Sequence, residues 1–263
     1  MTLSDADRRG VDRVVELLAQ SQSLLFITGA GISADSGLPT YRGIGGLYNS
    51  GETEEGMAIE DLLSGQTMRR RPDLTWKYLA QIAHAAQQAT FNRAHAVIAE
   101  MEQHFERVWV LTQNIDGFHR RAGSQKLIEI HGDIHDVFCT RCDFCRTVEK
   151  IDELDLPPKC PECGAVIRPD VVLFGEMLPE AKIQRLYEEL RAGFDLTITV
   201  GTTAVFPYIS GPVGMARQQG RPTVEINPGT SAVSHMVDVK LDLGAAVALD
   251  AIWEQYRQRR AKG

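Results

Sequence analysis

The chain has 263 residues, with 28 Lys and Arg against 35 Asp and Glu for a formal net charge of -7, and 43% of its residues are hydrophobic. That length holds one large domain, or a large one with a small companion, and leaves ample chain to bury a core. The acidic balance excludes the basic field on which general nucleic-acid and membrane-surface binding rely, so Arg69-Arg70-Arg71 and the Arg257 to Lys262 tail read as solvated surface.

Val11 to Gln20 has helical spacing, and Leu24 to Thr28 is a short apolar run that opens into Gly29-Ala30-Gly31. Further runs bounded by turn residues, at Val108 to Thr112, Leu127 to Ile130, Leu196 to Val200 and Thr223 to Ile226, read as buried strands of a mostly parallel sheet. Helical patterns at His95 to Gln103, Glu180 to Arg191 and Gly211 to Gln219 fall between them. This alternation predicts an α/β fold, a Rossmann-like doubly wound parallel sheet. Two segments break the rhythm. Gly43 to Thr90 starts Gly-rich and turns helical around Leu74 to Gln88, while Ile134 to Ile167 carries all five cysteines. Both read as insertions that build a smaller domain, a helical module with a four-cysteine zinc ribbon. The expected division is 1–42, 96–133 and 168–263 for the nucleotide-binding domain, against 43–95 and 134–167 for the small one. No stretch approaches the roughly 18 apolar residues of a spanning helix, and Met1 to Val14 lacks an apolar leader core, so a cytoplasmic protein and a monomer are expected.

Cys139 and Cys142, followed after a loop by Cys160 and Cys163, form two knuckles spaced for four thiolates around a tetrahedral zinc ion. A full thiolate shell leaves no position for water, so the metal is expected to be structural. Cys145 leaves an alternative open, because Cys142 and Cys145 have the same two-residue spacing. Thr28 to Ser33 joins a strand to a helix start, where backbone N–H groups can hold a pyrophosphate, although the third glycine of the dinucleotide fingerprint is missing. Gln113, Asn114 and Asp116 follow another strand end, where polar groups line a crevice or merely form a turn. His131, with Gly132 after it, closes the next strand in a position suited to a general base. His84, His104 and His235 have no such context and read as structural.

Taken together, the Gly29 to Gly43 segment, Thr112 to Asp116, His131-Gly132, the cysteine knuckles and Arg168 to Glu176 resemble the sirtuins, NAD-dependent protein lysine deacylases, in order and spacing from about Leu24 to Asn227. The resemblance implies that NAD contacts Gly29, Ala30, Gly31, Ser33, Asp35, Tyr41 and Arg42, then Gln113, Asn114, Ile115 and Asp116, and finally Gly201, Thr202, Thr203 and Asn227. It implies catalysis by His131 with Asn114. The acyl-lysine oxygen attacks the ribose as nicotinamide leaves, His131 activates a ribose hydroxyl, and 2′-O-acyl-ADP-ribose and free lysine result. Val172, Leu173, Phe174 and Gly175 are implied to pair with an acyl-lysine peptide as an added strand. The family spacing from His131 lands on Cys139, which favours Cys139 and Cys142 over Cys145. Three departures stand out. Tyr41 occupies a position that is commonly Phe, Pro207 arrives about one residue early after Gly201-Thr202-Thr203, and Leu79 and Ile82 stand where succinyl-removing members carry Tyr and Arg. The last implies a preference for acetyl or longer apolar acyl groups over succinyl. Mono-ADP-ribosyl transfer, a non-catalytic zinc-ribbon module and an NAD dehydrogenase are the competing readings.

Overall fold

Helix α1 (Asp5–Ala19) starts at Ser4, whose Oγ accepts from the Asp7 N–H while Asp7 reaches back in a capping box. Its Val11, Val14, Val15 and Leu18 fall on one stripe and are buried. Strand β1 (Ser23–Thr28) follows, and its alternation sorts the core into two layers: Leu24 and Phe26 join one cluster, Leu25 and Ile27 the other. Each fully buried side chain of this size contributes roughly 1.5–3 kcal/mol. The computed structural model describes residues 3–39, 53–151 and 154–262. Within them the order continues α2 (Gly31–Ala34), α3 (Ile59–Leu62), α4 (Gly65–Arg70), α5 (Pro72–Gln88), α6 (Arg93–Met101), β2 (Arg107–Thr112), α7 (Phe118–Ala122), β3 (Leu127–Glu129), β4 (Gly132–Cys139), β5 (Cys145–Thr147) and β6 (Ile167–Val171). It closes with α8 (Glu180–Ala192), β7 (Leu196–Val200), α9 (Pro207–Gln218), β8 (Thr223–Ile226), β9 (Val239–Leu241) and α10 (Ala245–Lys262).

Six strands form one parallel sheet in the order β3-β2-β1-β7-β8-β9. Helices α1, α6 and α10 cover one face around Val14, Ile98 and Trp253, and α8 and α9 cover the other around Leu186 and Val213. The chain leaves β1 for β2 on one side and returns to β7 on the other, so the carboxyl ends of β1 and β7 are the switch point where open α/β sheets bind ligands. The doubly wound reading of the sequence holds, and the structure adds β9, an edge strand too short and mixed to stand out.

The second insertion contains more order than its sequence suggests. Strands β5, β4 and β6 form an antiparallel sheet. Strand β5 returns on β4 after the short connection 140–144, whereas β6 pairs with β4 from far along the chain, where no local signal marks it. Helix α5 packs on this sheet through Trp76, Leu79 and Ala83, and Trp76 Nε1 donates to the Ile167 carbonyl at 2.9 Å.

Candidate active site

Two glycine turns meet at the switch point. Gly29 donates its N–H to the Val200 carbonyl at 3.1 Å and Gly31 to Gly201 at 2.8 Å. Contact is so close that a Cβ on Gly31 would stand 2.6 Å from the Gly201 Cα, and Gly201 itself has φ +57, so neither position accepts a side chain. Ala30 lies between them, and Thr202 is buried. Gln113 ties the turns to β2: its N–H donates to the Thr28 carbonyl and its side-chain amide to Thr202 Oγ1 at 2.8 Å. Asn227 donates to the Thr202 carbonyl at 3.0 Å from the other side, and Thr203 is exposed.

Asn114 and Asp116 are both nearly buried, at 6% and 8% exposure. The Asn114 amide donates to the Gly29 carbonyl at 3.1 Å, and Ser33 Oγ donates to Asp116 at 2.7 Å. Burial pushes the Asp116 carboxyl above its ordinary value, against hydrogen bonds from the Phe118 N–H and Ser33 that pull it down. Beside them lies an apolar cavity walled by Leu38, Pro39, Ile82, Ala86, Ile115 and Ile134. Its described lining carries no cation. Ile82 faces this cavity, whereas Leu79 is buried in the cluster around Trp76.

His131 stands between β3 and β4, immediately before Gly132, and its ring is held on both nitrogens. Nδ1 lies 3.0 Å from the Gln113 carbonyl, which can only accept, so Nδ1 carries the proton and Nε2 is the acceptor. Burial pushes its pKa below the ordinary value, more strongly than the Gln113 bond raises it, so the ring is neutral near pH 7. A neutral imidazole with an accepting Nε2 is able to take a proton. The backbone at His131 faces the other segment singled out in the sequence, because its carbonyl accepts from the Val172 N–H at 2.9 Å. Phe174 is then paired on its far side, donating to Leu63 and accepting from Gly65. Arg168 and Glu176 close this segment with two bonds of 2.7 and 2.8 Å, and Glu176 accepts from the Leu173 N–H. Leu173 is buried, Val172 and Phe174 are half-buried, and Gly175 turns at φ +76.

The cysteines at 139, 142, 160 and 163 place their sulfurs within 4.8 Å of one another. Tetrahedral zinc with bonds near 2.3 Å needs sulfurs roughly 4 Å apart, so this donor set fits one zinc ion. Cys145 is exposed on β5, opposite Phe138, and stands outside the cluster.

A model of the Sir2 family matches residues 29–207. The chain belongs to the Sir2 family. It is 54% identical over 231 residues to NAD-dependent protein deacylase 2 of Pseudomonas aeruginosa strain PAO1, covering 87% of this chain and 90% of that one. Among solved structures it resembles a Sir2 homologue–NAD complex with TM-score 0.84 and 35% identity, covering 94% of both chains. It also resembles a Sir2 mutant with deacetylated p53 peptide and 3′-O-acetyl ADP-ribose, with TM-score 0.83 and 28% identity over 93% of this chain and 98% of that one.

In this Sir2 family member the structure gathers Gly29, Ala30, Gly31, Ser33, Gln113, Asn114, Ile115, Asp116, His131, Gly201, Thr202 and Asn227 about one crevice. Asp35 is engaged elsewhere: its exposed carboxylate accepts from the Ala246 N–H at the first turn of α10. Tyr41 and Arg42 lie outside the described residues. Sequence reasoning missed Tyr208, whose hydroxyl stands 2.7 Å from His131 Nε2. The early Pro207 was the signal that could have found it.

Proposed function

We propose that this chain removes acetyl or longer apolar acyl groups from lysine side chains of proteins, consuming NAD and one water and releasing nicotinamide, 2′-O-acyl-ADP-ribose and free lysine. NAD supplies the electrophile, a ribose carbon that loses nicotinamide as the acyl oxygen arrives. The Gly29–Gly31 and Gly201–Thr203 turns, with Asn227, line the nucleotide site; the Gly29, Gly31 and Gly201 N–H groups hold the turns in place, and the glycines let the nucleotide approach the backbone closely. Asn114, Ile115 and Asp116 seat the nicotinamide. Tyr41 and Arg42 are assigned NAD contacts from the sequence resemblance alone. His131 Nε2 takes the proton of a ribose hydroxyl, and Asn114 orders the reacting groups. Val172 to Gly175 receive the peptide as an added strand. Zinc held by Cys139, Cys142, Cys160 and Cys163 would offset half of the charge of four thiolates and tie the knuckles together, a role suited to a reducing compartment such as the cytoplasm.

One observation carries the reading: the Gln113 to His131 linkage and the His131 to Val172 bond put one neutral base between the glycine turns and the substrate segment. The division into residues 1–42, 96–133 and 168–263 against 43–95 and 134–167 belongs to the same proposal, with the crevice where the two parts adjoin. The test is nicotinamide release from NAD with an acetyl-lysine peptide, wild type beside His131→Ala. Release should require the peptide and fall at least about a hundredfold in the variant, the usual worth of a general base. Peptide-independent release would point to ADP-ribosyl transfer instead.

A further inference from the structure

Where Pro207 comes early, the chain delivers two aromatic rings to His131. Phe206 and Tyr208 are stacked, with centroids 5.4 Å apart and planes 11° from parallel. Both meet the imidazole edge to face, at 6.2 and 5.9 Å. The turn that sets them there is strained. Ala204 is buried with φ +50, a conformation costly for a residue with a Cβ, and its N–H is held by Thr202 Oγ1 at 3.1 Å. Tyr208 then stands in the first turn of α9 with its hydroxyl 2.7 Å from Nε2.

Counting donors and lone pairs gives this contact a direction. Nδ1 donates to the Gln113 carbonyl, so Nε2 offers a single lone pair and the Tyr208 hydroxyl is the donor. A ribose hydroxyl that is to surrender its proton to Nε2 needs that same lone pair. We infer that Tyr208 is a positioning residue for His131: its hydroxyl holds the ring in the Nδ1–H tautomer with Nε2 accepting, and it yields Nε2 to the ribose hydroxyl of the bound nucleotide. The second half rests on the deacylase reading above. Burial raises the Tyr208 phenol to about 12, which keeps it a donor throughout the working range. The other groups bearing on the His131 charge are the Gln113 carbonyl, which favours protonation, and Lys182 of α8, which opposes it and lies 3.9 Å from Asp170.

The hydroxyl can turn and accept from a protonated Nε2, so its loss is read on the neutral ring, where it can only donate and where the Nε2 resonance should move toward that of a bare lone pair. The test is nitrogen NMR on protein with labelled histidine, the His131 signal being assigned by its loss in His131→Asn. Wild type is compared with Tyr208→Phe, which keeps the ring stack, and zinc content and near-UV circular dichroism check the fold. At a pH where the ring is neutral, the Nε2 signal should shift downfield in Tyr208→Phe, while Nδ1, still bonded to the Gln113 carbonyl, keeps its position. Wild-type protein made with 3-fluorotyrosine, a stronger donor, should move the opposite way and covers a variant that fails to fold. With ADP-ribose saturating, the Nε2 signals of wild type and Tyr208→Phe should coincide. An identical Nε2 signal without ADP-ribose would overturn the positioning role. A difference that persists undiminished with ADP-ribose bound would overturn the exchange. Failure of wild type to bind ADP-ribose would count against the deacylase reading and remove the exchange with it, while the comparison without nucleotide still decides the positioning role.

Discussion

Gly132→Ala should separate His131 from the Val172 to Gly175 segment. Gly132 has φ +89 and pairs with Val171, and a Cβ there would stand 1.7 Å from the Asp170 carbonyl oxygen. Ordinary contact begins near 3.4 Å, so β6 must retreat by roughly 1.5 Å or more. That strand is not free to move, because Trp76 holds the Ile167 carbonyl and Pro158 accepts from the Ile167 N–H. Backbone strain and overpacking together should cost about 2–5 kcal/mol. The retreat also stretches the 2.9 Å bond from Val172 to the His131 carbonyl. A misplacement of that size should lower kcat/KM about a hundredfold even where the variant is folded. Urea melts followed by tryptophan fluorescence, with kcat/KM for nicotinamide release, measure the two effects. Gly220→Ala is the comparison, with φ +67 but nothing within 4 Å of the added Cβ, so it pays strain alone. If the two variants match in both midpoint and kcat/KM, the steric argument is wrong.

Cys160→Ser should abolish tight zinc binding, worth roughly 10–16 kcal/mol in small thiolate sites, and loosen the antiparallel sheet, whereas Cys145→Ser keeps the metal; zinc analysis with circular dichroism distinguishes them. Acid should destabilise the fold through His95, which burial lowers from the ordinary 6.5 to about 4. The unfolded chain takes up the proton first, so this contribution is complete above about pH 6.5 and is lost as pH falls toward 4, on the order of 3 kcal/mol in all. An unchanged urea midpoint between those limits would contradict it. Succinyl-lysine peptides should react at least about a hundredfold less efficiently than acetyl-lysine peptides, since an unpaired buried carboxylate costs several kcal/mol and Ile82 offers it no partner. Comparable kcat/KM for both would show a cation from elsewhere.

The parallel strands were legible because a strand buried on both faces must be apolar throughout, and Leu24 to Thr28 and Leu196 to Val200 satisfy that locally. The cysteine knuckles were legible for a similar reason: ligand chemistry imposes spacing within a few residues. Choosing Cys139 over Cys145 needed more than spacing, and the fold makes the choice by placing Cys145 on β5, away from the other sulfurs. The antiparallel sheet escaped notice because β4 and β6 are joined by a long excursion, and pairing across it leaves no periodic mark in either strand.

By itself the sequence determined the strand-turn-helix alternation, the glycine turns, the two knuckles and the residue types at the strand ends. Each of these follows from neighbours in the chain. Only the tertiary structure decided that Asp35 serves α10, that Ile82 rather than Leu79 faces the cavity, and that Tyr208 meets His131. A helix register or a one-residue loop shift turns a side chain by about 100° without altering any local pattern. What it then touches depends on elements packed from distant parts of the chain.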